Sequence, residues 1–483
     1  MPGVAAAAGT AMPAPAARPA PHIRPLGPLL PAPPPRTAGH TGTAGHAGTV
    51  GHAGAGGHAG AGGHVRATRH PPTRIHDVSQ LPAEVVHSLR QATPLESPWL
   101  AAGVLAAGGL LVAVWVAGAV RRRRAGRRLA HPALTRVGLG AAVTVLGLAG
   151  TLLAVNSYVG YVPTTAALGN LLMGRSLVPA GSVPAAPAPR AAVGWPHSPA
   201  AAARTRLATA PATPADTTGS QIVQLRIGAP ALGVPRSPTF VYLPAGYTDP
   251  RNAGVRYPVV YLIHGYPGQA TDWLVAGRAQ QAADLVHRDG LTGPMILVFP
   301  TANGGWLHDS ECLDAVGNGQ KLETYLTRVV VETIDRTFRT VPDRRGRAIG
   351  GMSSGGYCAL NLGLRHLRTY ATILSSMPYG DPGRGPLRHM LGGSLALFHA
   401  NSPSWYLSRM PFPQPVAVFL DAGTDDRTTL ETARAMARDL AARGEYVALR
   451  LAPGLGHTWR EASAELPYSL VFASQHLTRA VAA

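Results

Sequence analysis

Residues 221–483 are predicted to form an α/β domain, a mostly parallel eight-stranded sheet flanked by helices. Eight short apolar runs carry that expectation, at 223–227, 239–243, 259–263, 295–299, 347–351, 371–375, 416–420 and 446–451. Short apolar runs bounded by turn residues read as buried strands. Helical patterns lie between the later runs. The clearest covers 322–338, where Leu322, Leu326, Val329, Val330, Ile334 and Phe338 share one face. Strands alternating with helices imply a parallel sheet covered on both sides, and two strands in succession at the start imply an antiparallel opening. About 260 residues suffice for one domain with an ample core.

The 483-residue chain is uneven ahead of that domain. Residues 1–220 hold 18 of the 43 Arg and Lys but only 4 of the 24 Asp and Glu, so much of the net charge of +19 lies outside it. Lys321 is the sole lysine. No basic stripe interleaved with aromatics occurs in 221–483, which argues against nucleic acid as a partner. Residues 1–97 are expected to be a disordered Ala/Pro/Gly/His-rich extension, because they lack the apolar residues of a core. Within it His40, His46, His52, His58, His64 and His70 recur every six residues. A metal-binding tract is the sharper reading of that spacing, and a slipped repeat is the expected one. A short amphipathic helix is expected at 79–91. The start lacks a basic segment followed by an apolar core, so no signal peptide is expected there.

Residues 98–120 carry no charge and are long enough to cross a bilayer as a helix. Arg121, Arg122, Arg123 and Arg124 follow at once, then Arg127 and Arg128. A second uncharged run, 137–155, is close to the minimum spanning length. The predicted arrangement is a transmembrane hairpin, 98–120 and 137–155, joined by an Arg-rich loop at 121–136. Guanidinium groups resist translocation, so the loop is expected in the cytoplasm and both ends outside it. Residues 156–220 read as a juxtamembrane segment followed by a Pro/Ala-rich linker. The expected location is therefore the cell membrane, multi-pass, with 221–483 extracytoplasmic.

The chemistry begins at Gly351-Met352-Ser353-Ser354-Gly355, a G-x-S-x-G run between the strand at 347–351 and an apolar helical pattern. A serine on so sharp a strand-to-helix turn has its hydroxyl lifted above the sheet edge. The helix starts just behind it, and its free N–H groups face any negative charge that forms there. A serine hydroxyl needs a base, and the base needs a partner that holds its tautomer. The strand at 416–420 runs into Asp421-Ala422-Gly423-Thr424-Asp425-Asp426, and the strand at 446–451 runs into Gly456-His457-Thr458-Trp459. Serine, carboxylate and histidine thus follow in the chain order of α/β-hydrolases, with Ser353 as nucleophile, His457 as base and Asp425 or Asp426 as the acid. The oxyanion needs two N–H donors. Ser354 supplies one, and Tyr266 in the loop after the strand at 259–263 is assigned the other. His264 in that loop is expected to shape it. Cys312 and Cys358 are the only cysteines, too few for a metal site, and neither a metal nor a cofactor is expected.

On these residues 221–483 resembles the esterase family that includes esterase D (S-formylglutathione hydrolase), feruloyl esterases and secreted mycolyltransferases. The matching pieces are Val241-Tyr242-Leu243-Pro244-Ala245-Gly246-Tyr247, Leu262-Ile263-His264-Gly265, the serine turn, Gly423-Thr424-Asp425-Asp426 and Gly456-His457-Thr458-Trp459. The resemblance implies an α/β-hydrolase fold, and it favours Asp426 as the acid, three residues after the glycine. It also implies that Cys312 and Cys358 pair as a disulfide beside the site, as in some envelope members. The hairpin followed by Asn156-Ser157-Tyr158-Val159-Gly160-Tyr161 is similar to membrane-anchored actinobacterial members. Segment 378–412 is expected to form the lid that selects the acyl group, with Trp405 and Trp306 lining the cleft.

The expected protein is a membrane-anchored serine esterase acting through an acyl-enzyme. Its partners would be an ester substrate, such as an envelope lipid or an acylated glycan, and the membrane. Release of the acyl group to a sugar hydroxyl, which would make it an acyltransferase, is the alternative. A catalytically silent envelope-binding protein is the reading from another class.

Overall fold

The computed structural model describes residues 81–82, 86, 94–126, 132–172, 219–305 and 308–482. Most of the expected N-terminal extension, including its histidine tract and the helix at 79–91 apart from residues 81–82 and 86, lies outside the described residues, as do most of the Pro/Ala-rich linker, Arg127, Arg128 and Trp306.

Two long helices lead the described chain, α1 (Pro98–Arg124) and α2 (Pro132–Val159). Both are long and apolar enough to cross a membrane, with mean hydropathy of 2.3 and 2.0 over their most apolar stretches. Leu110, Leu134 and Leu152 stand about two-thirds exposed on them. The helices lie against each other through small residues, Gly108 beside Leu146 and Gly150 beside Leu105. Helix α1 runs on through Arg124, beyond the uncharged run, because arginine forms helix well and cations suit the negative end of the helix dipole.

Ten strands follow: β1 (Gln221–Ala229), β2 (Val234–Leu243), β3 (Val255–Arg256), β4 (Val259–Ile263), β5 (Ile296–Pro300), β6 (Arg347–Met352), β7 (Thr372–Ser376), β8 (Ala417–Gly423), β9 (Tyr446–Ala452) and β10 (Val481–Ala482). Eight of them make one sheet in the order β1-β2-β5-β4-β6-β7-β8-β9, while β3 pairs with β10. The pairs β1–β2 and β2–β5 are antiparallel, and every later pair in the sheet is parallel. This is the mostly parallel eight-stranded sheet with an antiparallel start that the sequence predicts, and the fold is that of the α/β-hydrolases.

The central strands are buried on both faces, which is why they read as continuous apolar runs rather than alternating ones. Their side chains nonetheless divide by the two-residue period of a strand. Val259, Tyr261 and Ile263 enter one core with helix α4 (Ser354–Arg365) and helix α7 (Arg427–Ala442). Val260 and Leu262 enter the other with helix α3 (Ala279–Arg288) and helix α8 (Trp459–His476). Between these elements, α5 (Leu395–Ala400) and α6 (Pro403–Tyr406) belong to the 378–412 segment. The helix predicted at 322–338 is present as Leu322–Thr324, Tyr325–Val330 and Val331–Thr337, the middle piece wound as a wider π-turn.

Register places the site. Met352 pairs with Ser376, Ser376 with Asp421, and Gly423 with Ala452, so the segments after β6, β7, β8 and β9 leave the same edge of the sheet. Ligands of open parallel sheets gather at that carboxyl edge. The hairpin meets the domain close by. Arg460 Nη1 donates to Ser157 O at 3.2 Å, Tyr161 O–H donates to Asp272 Oδ1 at 3.0 Å, and Arg278 forms an ion pair with Glu96.

Candidate active site

Ser353 sits between β6 and α4 with φ 58° and ψ −123°, a left-handed conformation that is strained for a residue with a Cβ. Two backbone hydrogen bonds hold it there. Its N–H donates to Ser376 O at 3.0 Å, and its carbonyl accepts from Tyr357 N–H at 2.9 Å. The turn is also tight enough to demand glycine beside it. A Cβ on Gly355 would lie 2.2 Å from Ile263 O, and one on Gly351 would lie 2.3 Å from Gly355 O. Those neighbours are backbone atoms of β4 and of α4 and cannot swing away. Gly355→Ala is therefore expected to lower the free energy of unfolding by about 1–3 kcal/mol, read by urea denaturation.

The loops after β8 and β9 meet over this serine. Ser353 Oγ–H donates to His457 Nε2 at 2.7 Å, and His457 Nδ1–H donates to Asp426 Oδ2 at 2.6 Å. That assignment of the imidazole protons is the one in which every group has a partner. Asp426 is also the N-cap of α7, where it accepts from Thr429 O–H at 2.5 Å and from Thr429 N–H at 3.4 Å. Burial raises its pKa. The hydrogen bonds from Thr429 and His457 outweigh that and hold the carboxyl below its ordinary 3.8, so it stays ionised. Asp425 instead accepts from Thr424 O–H at 3.3 Å, so of the two neighbouring carboxylates it is Asp426 that contacts His457.

The loop after β4 approaches from the other side. A Cβ on Gly265 would lie 3.4 Å from Ser353 Cβ, so the Gly265–Tyr266 peptide is next to the serine. Ser354 begins α4 with its N–H at the open end of the helix. His264 is buried and donates from Nδ1 to Gly265 O at 2.8 Å while its Nε2 accepts from Ala302 N–H at 3.2 Å. Burial pushes its pKa down to about 4, which keeps it neutral and suits a loop-shaping role rather than a base. Asp272, Trp273 and Asn303 bind backbone of the same loop region at Gln269, Ile263 and Gly268.

Cys312 and Cys358 form a disulfide with their Cα atoms 5.8 Å apart, tying α4 to the 308–321 loop one turn beyond the serine. Trp405 on α6 is half exposed and stacks on His399 with centroids 3.8 Å apart. The structure gives it no contact with Ser353.

Two side chains at the site escape a reading of the sequence. Tyr379, in the segment after β7, places its hydroxyl 2.6 Å from Ser353 Oγ and 3.3 Å from His457 Nε2. Glu311, beside Cys312, is buried against the Ser354 side chain. Burial, reinforced by the nearby Asp309 carboxylate, pushes its pKa well above the ordinary value. Neither lies in a motif. Only the Met-Pro-Tyr-Gly turn after a predicted strand hints at Tyr379, and nothing in the sequence marks Glu311.

Residues 235–461 match the family model described as "Putative esterase". Over 176 residues the chain is 32% identical to an uncharacterized protein of Corynebacterium glutamicum, covering 35% of this chain and 40% of that one. Over 204 residues it is 28% identical to an esterase of Mycobacterium tuberculosis, covering 38% of this chain and 42% of the relative. The chain thus spans about two-fifths of the length of these curated relatives. Among solved structures it is similar to a ferulic acid esterase, with 23% identity, a TM-score of 0.47, and coverage of 55% of this chain and all of that one. The match to this esterase family thus spans residues 235–461, the segment that carries the serine turn and the Asp426 and His457 loops.

Proposed function

We propose that the protein is a membrane-anchored carboxylic ester hydrolase with Ser353 as nucleophile. The observation that carries the reading is the hydrogen-bonded row from Ser353 through His457 to an ionised Asp426, with the serine held in a strained turn above the sheet edge. His457 Nε2 takes the Ser353 proton as Oγ attacks the ester carbonyl. The tetrahedral oxyanion forms against the N–H groups of Ser354 and Tyr266. His457 then returns the proton to the leaving alcohol. Water repeats the sequence in reverse and frees the acid. Asp426 holds the imidazole tautomer and stabilises the imidazolium.

The membrane part of the reading is supported by two outward-apolar helices and by where they end. Tyr158 O–H lies within 3.1 Å of the Cβ position of Gly456, the residue before His457, and Arg460 holds Ser157. A mouth so close to the end of α2 would open near the bilayer surface, which favours an amphiphilic ester drawn from the envelope as substrate. Arg121–Arg124 at the far end of α1 support, through the positive-inside rule, a catalytic domain outside the cytoplasm.

Fluorophosphonate labelling of the full-length chain, with the adduct located by mass spectrometry, tests the reading. One adduct on Ser353, absent from the His457→Ala variant, is expected. Folded protein that takes up no label would remove the esterase reading and favour a silent binding protein.

A further inference from the structure

Resting on the esterase reading, we propose that Tyr379 is a catalytic residue whose hydroxyl holds the oxygen that leaves, or arrives at, the acyl carbon. Its hydroxyl, Ser353 Oγ and His457 Nε2 form a triangle with sides of 2.6, 2.7 and 3.3 Å. Its ring lies parallel to the imidazole, 6° between planes and 6.0 Å between centroids. In the free protein Tyr379 O–H donates to Oγ while Oγ–H donates to Nε2, and both donors are used.

Acylation changes what Tyr379 faces. Once Oγ is bonded to the acyl carbon it is a poor acceptor, and Nε2 now carries the serine proton. The ester C–O bond breaks, the leaving oxygen takes the electron pair, and Nε2–H supplies its proton. That oxygen must stand about 3 Å from Nε2 and beside the acyl carbon on Oγ. The Tyr379 hydroxyl borders the same space, so its O–H donates to the leaving oxygen while charge builds there. In the second half the oxygen of water or an alcohol accepts from Tyr379, gives its proton to Nε2, and turns a lone pair on the carbon. Tyr379 ends each half with its own proton. Burial lifts the phenol to about 12, so it remains a donor at neutral pH. The position is built. Gly380 O, one residue on, accepts from both Ser404 N–H at 3.0 Å and Ser404 O–H at 2.8 Å, which pins the tyrosine segment to α6.

The test compares kcat/KM for an alkyl ester and a nitrophenyl ester of the same acyl chain, in full-length wild type and Tyr379→Phe. An alkoxide leaving group needs the donor and a nitrophenolate hardly does. The alkyl ester is expected to lose about 10- to 100-fold and the nitrophenyl ester no more than a few-fold. Fluorophosphonate labelling of Ser353 should persist in the variant, which certifies its fold. Equal losses on both esters, or no loss on either, with labelling intact would overturn the role of Tyr379 and leave the esterase reading standing. A wild-type chain that neither labels nor hydrolyses either ester would overturn both.

Discussion

His457→Ala is expected to lower kcat for ester hydrolysis by roughly 10⁴- to 10⁶-fold, with KM changed far less. The size follows from what the imidazole does twice in each turnover. It accepts the Ser353 proton across 2.7 Å and later returns it to the leaving oxygen. Without it, Oγ attacks as an unassisted alcohol. Ser353→Ala should fall by a similar factor, and the double variant should fall no further, because the two side chains act as one unit. Asp426→Asn would replace the acceptor of His457 Nδ1–H with a group that can present an N–H to it. The imidazole then loses its productive tautomer, and a fall of about 10⁴-fold is expected with the fold intact. Steady-state rates on a short-chain ester check all four variants. A His457→Ala variant retaining a tenth of the wild-type kcat would remove this residue from the mechanism.

The second large effect concerns stability. Arg450 on β9 lies buried among Asp421 on β8 and Glu461 and Glu465 on α8. Its Nη1 bonds to Asp421 Oδ1 at 2.5 Å and to Glu461 Oε1 at 3.1 Å, and its guanidinium lies 4.4 Å over the Tyr468 ring. One positive charge thus serves three buried carboxyls. Arg450→Met would leave them without a counter-charge, and a loss of about 3–5 kcal/mol is expected near neutral pH, read by urea unfolding.

The pH dependence has a definite sign. Burial, with Asp421 adding to it, pushes Glu461 up, and burial followed by the charge of Asp421 lifts Glu465 to about 8. A carboxyl raised in the folded state binds more protons there than in the unfolded chain. Its contribution is therefore full below its ordinary value of 4.5 and declines as pH rises to about 8. Arg450→Met raises these groups further, so the variant should be destabilised less at pH 5 than at pH 8. Glu465→Gln should flatten the wild-type slope between those values. An Arg450→Met variant as stable as wild type at pH 8 would show that the carboxyls simply protonate.

How much of this could be read from residues alone depends on distance along the chain. The central strands of the sheet are legible because each is a run of apolar residues buried on both faces, and the helices because their apolar positions recur on one side. The serine turn is legible for the same reason. Strand, G-x-S-x-G and helix are contiguous, and the glycines that let backbone approach within a few ångströms are written into the motif. Chain order pointed to a carboxylate after the strand at 416–420 and a histidine after the strand at 446–451.

Tertiary structure decided what depends on direction rather than on order. Asp425 and Asp426 are the same chemical group one residue apart, and only the turn into α7 aims one at His457 and the other at Thr424. Tyr379 reaches Ser353 across 26 residues and His457 across 78, and no periodicity encodes such a meeting. Glu311 next to Ser354 likewise depends on tertiary placement, and so does Ser157 of α2 on Arg460 of α8 across 303 residues. Burial and periodicity are properties of a segment, whereas a hydrogen bond between loops is a property of where the sheet sends them.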